Sequence, residues 1–234
     1  MDNAQEKGMN RRTFLKTGVV GTASALIAAP ALADTLQQLA VAETSSYPKP
    51  VYRTLGRTGL KLTVVSFGAM LTPEPEVIRA ALEQGVNYVD TARKYMSGKN
   101  EEIVGKAIKG MRNKLHIATK TSPDSRTRGE IISDVEASLK ALGTDHIDVI
   151  QLHHVTGKER IFLAETREAL AQLKKQGKVR FCGVTTHKNE VEVLNALVDD
   201  PEHFFDTCLV KYNFKSDRPM PTKNSIYTDL GRSG

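Results

Sequence analysis

In the stretch YVDTARKY, residues 88–95, an acidic side chain, Asp90, stands at the tail of an apolar run, and Tyr95 follows in the next loop. Two later apolar runs end in the same manner, HIATK on Lys120 and VIQLH on His153. A carboxylate, a phenol, an ammonium and an imidazole are the groups that hold and move protons in enzyme sites. Each has a blander reading when taken alone. Asp90 could cap a helix, Tyr95 could be a packing ring, and Lys120 could snorkel to the surface. His153 competes with His154, because strand alternation sends only one of them inward. Three such residues at the ends of consecutive strands, joined by a tyrosine in the intervening loop, are harder to obtain by chance.

The elements that must position them follow from the hydrophobic pattern. Around Gly-Arg-Thr-Gly, the stretch YRTLGRTGLKLT predicts a small hairpin. Strands are expected over 62–69, 87–91, 115–121, 146–153, 179–186 and 205–212. Helices are expected near 74–85, 99–110, 127–142, 158–176 and 189–199. Strict strand–helix alternation with short links implies a parallel α/β sheet. No G-x-G-x-x-G or G-x-x-x-x-G-K turn follows the first strand, which disfavours a doubly wound nucleotide-binding sheet. The polar residues recur instead at the carboxyl ends of strands, the face on which a (β/α)8 TIM barrel carries its chemistry. After Tyr212 the chain is polar and proline-punctuated. The expectation is therefore an incomplete barrel of about six βα units over 51–213, truncated at its C-terminus and followed by an irregular tail at 214–234.

Residues 1–33 read as an export signal. NRRTFLK is a twin-arginine pattern, a Gly/Ala-rich apolar run follows, and Ala31-Leu32-Ala33 offers a cleavage site. Cleavage after Ala33 would leave residues 34–50 as a linker and the mature protein in the periplasm or otherwise exported by the twin-arginine route, without stable membrane insertion. The implied partner is the twin-arginine export machinery. The formal charge of +6 is spread among acids, with no basic stripe carrying stacking aromatics, so nucleic acid is not an expected partner. The two cysteines, Cys182 and Cys208, lie in apolar runs without metal spacing; buried free thiols and no metal are expected. His116 and His187 have no evident partner.

The segments DTARKY…GKNEEIVGKAI, IATKT, DVIQLHH and VRFCGVTTH resemble the aldo-keto reductase superfamily, in order and at sensible spacing. YRTLGRTGLKLTVVSFG is similar to that family's N-terminal hairpin and first barrel strand. The resemblance implies an NAD(P)H-dependent oxidoreductase that reduces a small carbonyl substrate, with NADP(H) or NAD(H) as cofactor. It places a catalytic tetrad on Asp90, Tyr95, Lys120 and His153. Tyr95 would donate the proton, Lys120 would stabilise the tyrosinate, Asp90 would hold the lysine and His153 would orient the carbonyl. Cofactor contacts would fall on Thr185 and Thr186, in a GVTT stretch where the family has a GVS-type turn, and on Asn213. Thr185 has the alternative of plain strand propensity. One departure is Leu209, which stands where the family presents a glutamine. A cofactor-sensing module without turnover, an inactive truncated fragment and another barrel enzyme such as an isomerase are the other readings.

Overall fold

A computed structural model of the protein describes residues 49–211. The expected signal segment 1–33, nearly all of the expected linker, the expected tail 214–234 and Asn213 lie outside these residues. The hairpin forms where expected, with β1 (Tyr52–Thr54) antiparallel to β2 (Lys61–Thr63) around a 3-10 turn at Gly56–Thr58. A parallel sheet follows in chain order: β3 (Phe67–Gly68), β4 (Tyr88–Asp90), β5 (His116–Lys120), β6 (Ile147–Leu152), β7 (Val179–Thr186) and β8 (Thr207–Val210). The helices are α1 (Pro75–Glu83), α2 (Asn100–Ile108), α3 (Arg128–Leu142), α4 (Lys158–Ile161), α5 (Ala164–Lys175) and α6 (Glu190–Val198). Together they make an α/β fold whose sheet curls into half a barrel.

Two expected elements break. The run 62–69 is not one strand. Lys61–Thr63 pairs within the hairpin, and the chain bends through exposed Val64 and Val65 before β3. Asn87 enforces the bend, since its Oδ1 accepts from the Thr63 N–H at 2.8 Å and its Nδ2 donates to the Lys61 carbonyl at 2.8 Å. The helix expected over 158–176 splits at Phe162–Leu163, where Leu163 is extended (φ −67°, ψ 113°). The Ile161 carbonyl near the break is satisfied by Arg167 Nε at 3.0 Å.

Strand alternation sorts the core into two layers. Outward residues such as Val89, Ile117, Ile150, Leu152, Cys182 and Val184 pack against the helices in the main core. Inward residues Ala118, Val149 and Phe181, aligned across β5–β7, meet Tyr88 and the hairpin's Leu55, Leu60 and Leu62 in a separate cluster. The hairpin therefore plugs the amino-terminal end of the half-barrel. Burial pushes Cys182 up to about 12, so this thiol is inert. Helix α3 shows why a local signal was readable: Thr127 and Glu130 form a reciprocal capping box, and left-handed Gly143 (φ 64°) ends the helix. Among the described residues no helix is long and apolar enough to cross a membrane.

At the amino-terminal end lies a buried carboxylate, Asp148, only 1% exposed. It accepts from Arg112 Nη2 and Arg180 Nη1 at 2.7 Å each, from the Ile117 N–H at 2.9 Å, and faces His116 Nδ1 at 3.2 Å. His116 thus has a structural partner, contrary to the sequence expectation. Burial alone would raise the Asp148 carboxyl, but the hydrogen bonds from His116 and Ile117, with the two guanidinium groups, hold it far below the usual carboxylate range.

Candidate active site

The tetrad residues predicted from sequence come together at the carboxyl end of the sheet. Lys120, the last residue of β5, is 1% exposed. Its Nζ donates to Asp90 Oδ1 at 2.5 Å and to the Thr91 carbonyl at 2.7 Å. Asp90 therefore acts on the lysine and caps no helix; the residue before α2 is Lys99. The same Nζ lies 4.6 Å from the centroid of the Tyr95 ring, and the His153 ring meets that ring edge-on with centroids 5.7 Å apart. The competition between the two histidines is resolved by a turn. His154 takes a left-handed φ of 58°, and its ring goes instead to His187, 5.8 Å away.

The loop carrying Tyr95 is clamped by residues whose role was not foreseen. Asn100, fully buried at the start of α2, accepts from Thr91 Oγ1 at 2.6 Å and donates to the Ala69 carbonyl at 2.7 Å. Glu101, also fully buried, accepts from Thr119 Oγ1 at 2.6 Å and pairs with Arg93. Between these anchors Met96 and Ser97 both adopt left-handed backbone (φ 51° and 56°), an uncommon state for such residues. Local strain there is held by the ties of Asn100 and Glu101 and turns the chain sharply after Tyr95. The available signal was a polar pair, Asn-Glu, at the head of an apolar-periodic helix.

Electrostatics divides the labour. Burial pushes the Asp90 carboxyl up, and the charge and hydrogen bond of Lys120 offset only part of that rise. Burial, reinforced by the Lys120 charge and by His154 and His187, lowers His153 to about 4, so its ring is neutral near pH 7. Asp90 Oδ2 and His153 Nδ1 are buried without hydrogen-bond partners among the described residues, an arrangement that folded proteins otherwise avoid.

Register carries the site across the sheet. Lys120, Gln151, Gly183 and Thr207 align on successive strands. Gln151 Oε1 and Thr207 Oγ1 are buried and have no partner among the described residues. Gly183 is required in this row, because a Cβ there would lie 2.1 Å from Thr207 Oγ1. Thr185 shares the inward alternation and its Oγ1 accepts the His154 N–H at 2.9 Å. Thr186, one residue on, falls on the opposite face, and its hydroxyl closes a turn onto Lys188. The structure thus brings Thr185 to the tetrad's side of the sheet and leaves Thr186 on the other. Leu209 is 42% exposed.

A family model described as "Aldo/keto reductase family" matches residues 73–224, more than half of the chain. The chain belongs to this family. Among curated aldo/keto reductase relatives, it is 42% identical over 125 residues to aldo-keto reductase YhdN of Bacillus subtilis, covering 49% of this chain and 37% of that protein. It is 36% identical over 112 residues to methylglyoxal reductase YeaE of Escherichia coli, covering 48% and 38%. The chain spans between 37% and 53% of the length of these and the other leading curated relatives. Among solved structures, aldo-keto reductase AKR11C1 from Bacillus halodurans in its holo form superposes with a TM-score of 0.57 at 28% identity, over 79% of this chain and 76% of that one. An aldo-keto reductase from Klebsiella pneumoniae in complex with NADPH gives 0.58 at 27% identity, over 69% and 59%.

Proposed function

We propose that the protein reduces an aldehyde or ketone to the alcohol with NADPH or NADH as hydride donor, Tyr95 supplying the proton. The observation that carries this reading is the Lys120 ammonium, buried and held by Asp90 beside the Tyr95 ring. An ordinary phenol, of pKa about 10, is a reluctant acid at neutrality. A fixed ammonium at its side stabilises the tyrosinate left when the proton has gone to the carbonyl oxygen. Asp90 keeps that ammonium charged, since a buried unpaired lysine tends to lose its proton. Neutral His153 offers its ring N–H to the same oxygen, polarising the carbonyl and orienting it toward Tyr95. Water restores the phenol after the alcohol leaves.

The inner face suits a nicotinamide. Gln151 Oε1, Thr207 Oγ1 and the Thr185 hydroxyl are the polar atoms that a carboxamide would use, and two of the three have no partner among the described residues. Thr186, facing the other way, would act only through its turn with Lys188, and Asn213 would add a contact next to the last strand. The bound cofactor supplies hydride to the carbonyl carbon. Similarity to an NADPH complex supports NADP(H), and the relative named methylglyoxal reductase supports a small carbonyl substrate. Loss of reduced-cofactor absorbance that depends on added carbonyl compound tests the reading. Saturable cofactor binding with no carbonyl-dependent oxidation would replace it with a binding module.

Export is part of the proposal. Arg11 and Arg12, in the twin-arginine pattern, address the folded protein to the periplasm. Replacing both with lysine keeps the charge, and the variant is expected to stay in the cytoplasm with residues 1–33 attached. Fractionation with N-terminal sequencing checks this, and mature protein beginning at Asp34 in the periplasm would refute the assignment.

A further inference from the structure

Lys120 needs more than its counterion. A buried ammonium presents N–H donors that cost free energy when no acceptor meets them. Asp90 Oδ1 meets one, and the Thr91 carbonyl, at 2.7 Å, is the other acceptor bonded to Nζ among the described residues. The direction of that carbonyl depends on what holds Thr91. Its N–H donates to the Ala118 carbonyl at 2.9 Å, which fixes the strand side of the residue. Its hydroxyl, in a residue with no exposure, donates to Asn100 Oδ1 at 2.6 Å, which fixes the loop side.

The other end of the same amide is engaged as well. Asn100 Nδ2 donates to the Ala69 carbonyl at 2.7 Å and lies 3.4 Å from Met96 Sδ. One fully buried side chain therefore joins the exits of β3 and β4 to the left-handed residue that follows Tyr95. None of these contacts reaches a group within α2, so the amide does not serve the helix that carries it. Its partners are instead the residue that orients the lysine and the loop that carries the phenol.

We infer that Asn100 is a positioning residue: through Thr91 it holds the Lys120 ammonium, and through Met96 the loop of Tyr95, in the arrangement from which the phenol gives up its proton. This rests on the reading of Tyr95 as the acid, but its test needs no turnover. In the full chain, the ionisation of Tyr95 is followed as the tyrosinate absorbance of the parent less that of Tyr95→Phe. The same difference is taken in an Asn100→Ala background. An ammonium no longer held in place stabilises the phenolate less, so the midpoint is expected about one pH unit higher in the variant, a tenfold weaker ionisation. Thr91→Val gives an independent measurement if Asn100→Ala fails to fold, since it keeps the branched shape and the carbonyl and removes the hydroxyl. It is expected to move the midpoint the same way, and Thr91→Ser, which keeps the hydroxyl, to return it to the parent value. Because both cut one bond, Asn100→Ala and Thr91→Val together are expected to shift it by less than the sum of their separate shifts. A residue with a structural duty alone would lower the melting midpoint and leave the tyrosine titration where it was. An unmoved titration in either folded variant, or Thr91→Ser shifting it as far as Thr91→Val, would overturn the proposal. Carbonyl turnover of Tyr95→Phe decides the acid reading separately, so the two failures are told apart.

Discussion

Tyr95→Phe is expected to lower the turnover number for carbonyl reduction by a factor of roughly 10² to 10⁴ while leaving cofactor affinity unchanged. The substitution keeps the ring, and with it the stacking of Lys120 Nζ at 4.6 Å and the edge contact with His153 at 5.7 Å. It also leaves the ties of Asn100 and Glu101 that shape the loop. Only the hydroxyl is lost, and with it the proton that the alkoxide needs. In the proposed mechanism that proton moves in the transition state, so the loss is expected in kcat rather than in KM. Steady-state kinetics with NADPH, beside a circular dichroism spectrum that shows an intact fold, checks the expectation. Equal turnover in variant and parent would remove Tyr95 from the role of acid.

The second large effect is on stability and lies at the other end of the sheet. Asp148→Ala leaves Arg112, 18% exposed at its side chain, without its carboxylate, and deprives the Ile117 N–H of its acceptor. Breaking a buried ion pair from one side costs about 3–5 kcal/mol. Arg180, at 45% exposure, can turn to water, so the lower end of that range applies, about 3 kcal/mol. For a domain of this size that lowers the melting midpoint by roughly 10 °C. The pH dependence follows from the same group. Its carboxyl is depressed in the folded state, so its contribution is complete above the unfolded value near pH 4 and is lost as pH falls further. The parent is expected to lose stability steeply below pH 4, and the variant to show a shallower acid slope. A midpoint at pH 7 within about 2 °C of the parent would show that the cluster is incidental.

What could be read in the chain was whatever local periodicity or position encodes. The strands ending at Asp90, at Lys120 and just before His153 were visible because apolar runs stop at charged or polar residues, and strand ends share a face in a barrel. Helix α3 announced itself through its capping box and terminal glycine. The breaks at Val64–Val65 and Phe162–Leu163 were invisible because apolar residues there continue the pattern; Asn87, distant in sequence, makes the bend, and Arg167, in the helix that follows, satisfies the break. Partnerships were the least legible. Asp148, inside the run HIDVIQL, carried a signal, since a carboxylate at an alternate position of a buried strand must find cations, but their identities depend on how β5, β6 and β7 are aligned. The opposite facing of Thr185 and Thr186 follows from alternation along β7, which a motif match does not weigh.

The central claim is that this site transfers hydride to a carbonyl carbon. It is tested most directly by incubating the chain with NADPH deuterated at the nicotinamide C4 and an activated aldehyde such as 4-nitrobenzaldehyde, then weighing the alcohol by mass spectrometry. The account predicts an alcohol carrying one deuterium at the former carbonyl carbon, formed by the parent and suppressed in Tyr95→Phe. Alcohol without deuterium, or deuterated alcohol formed equally by parent and variant, would contradict it.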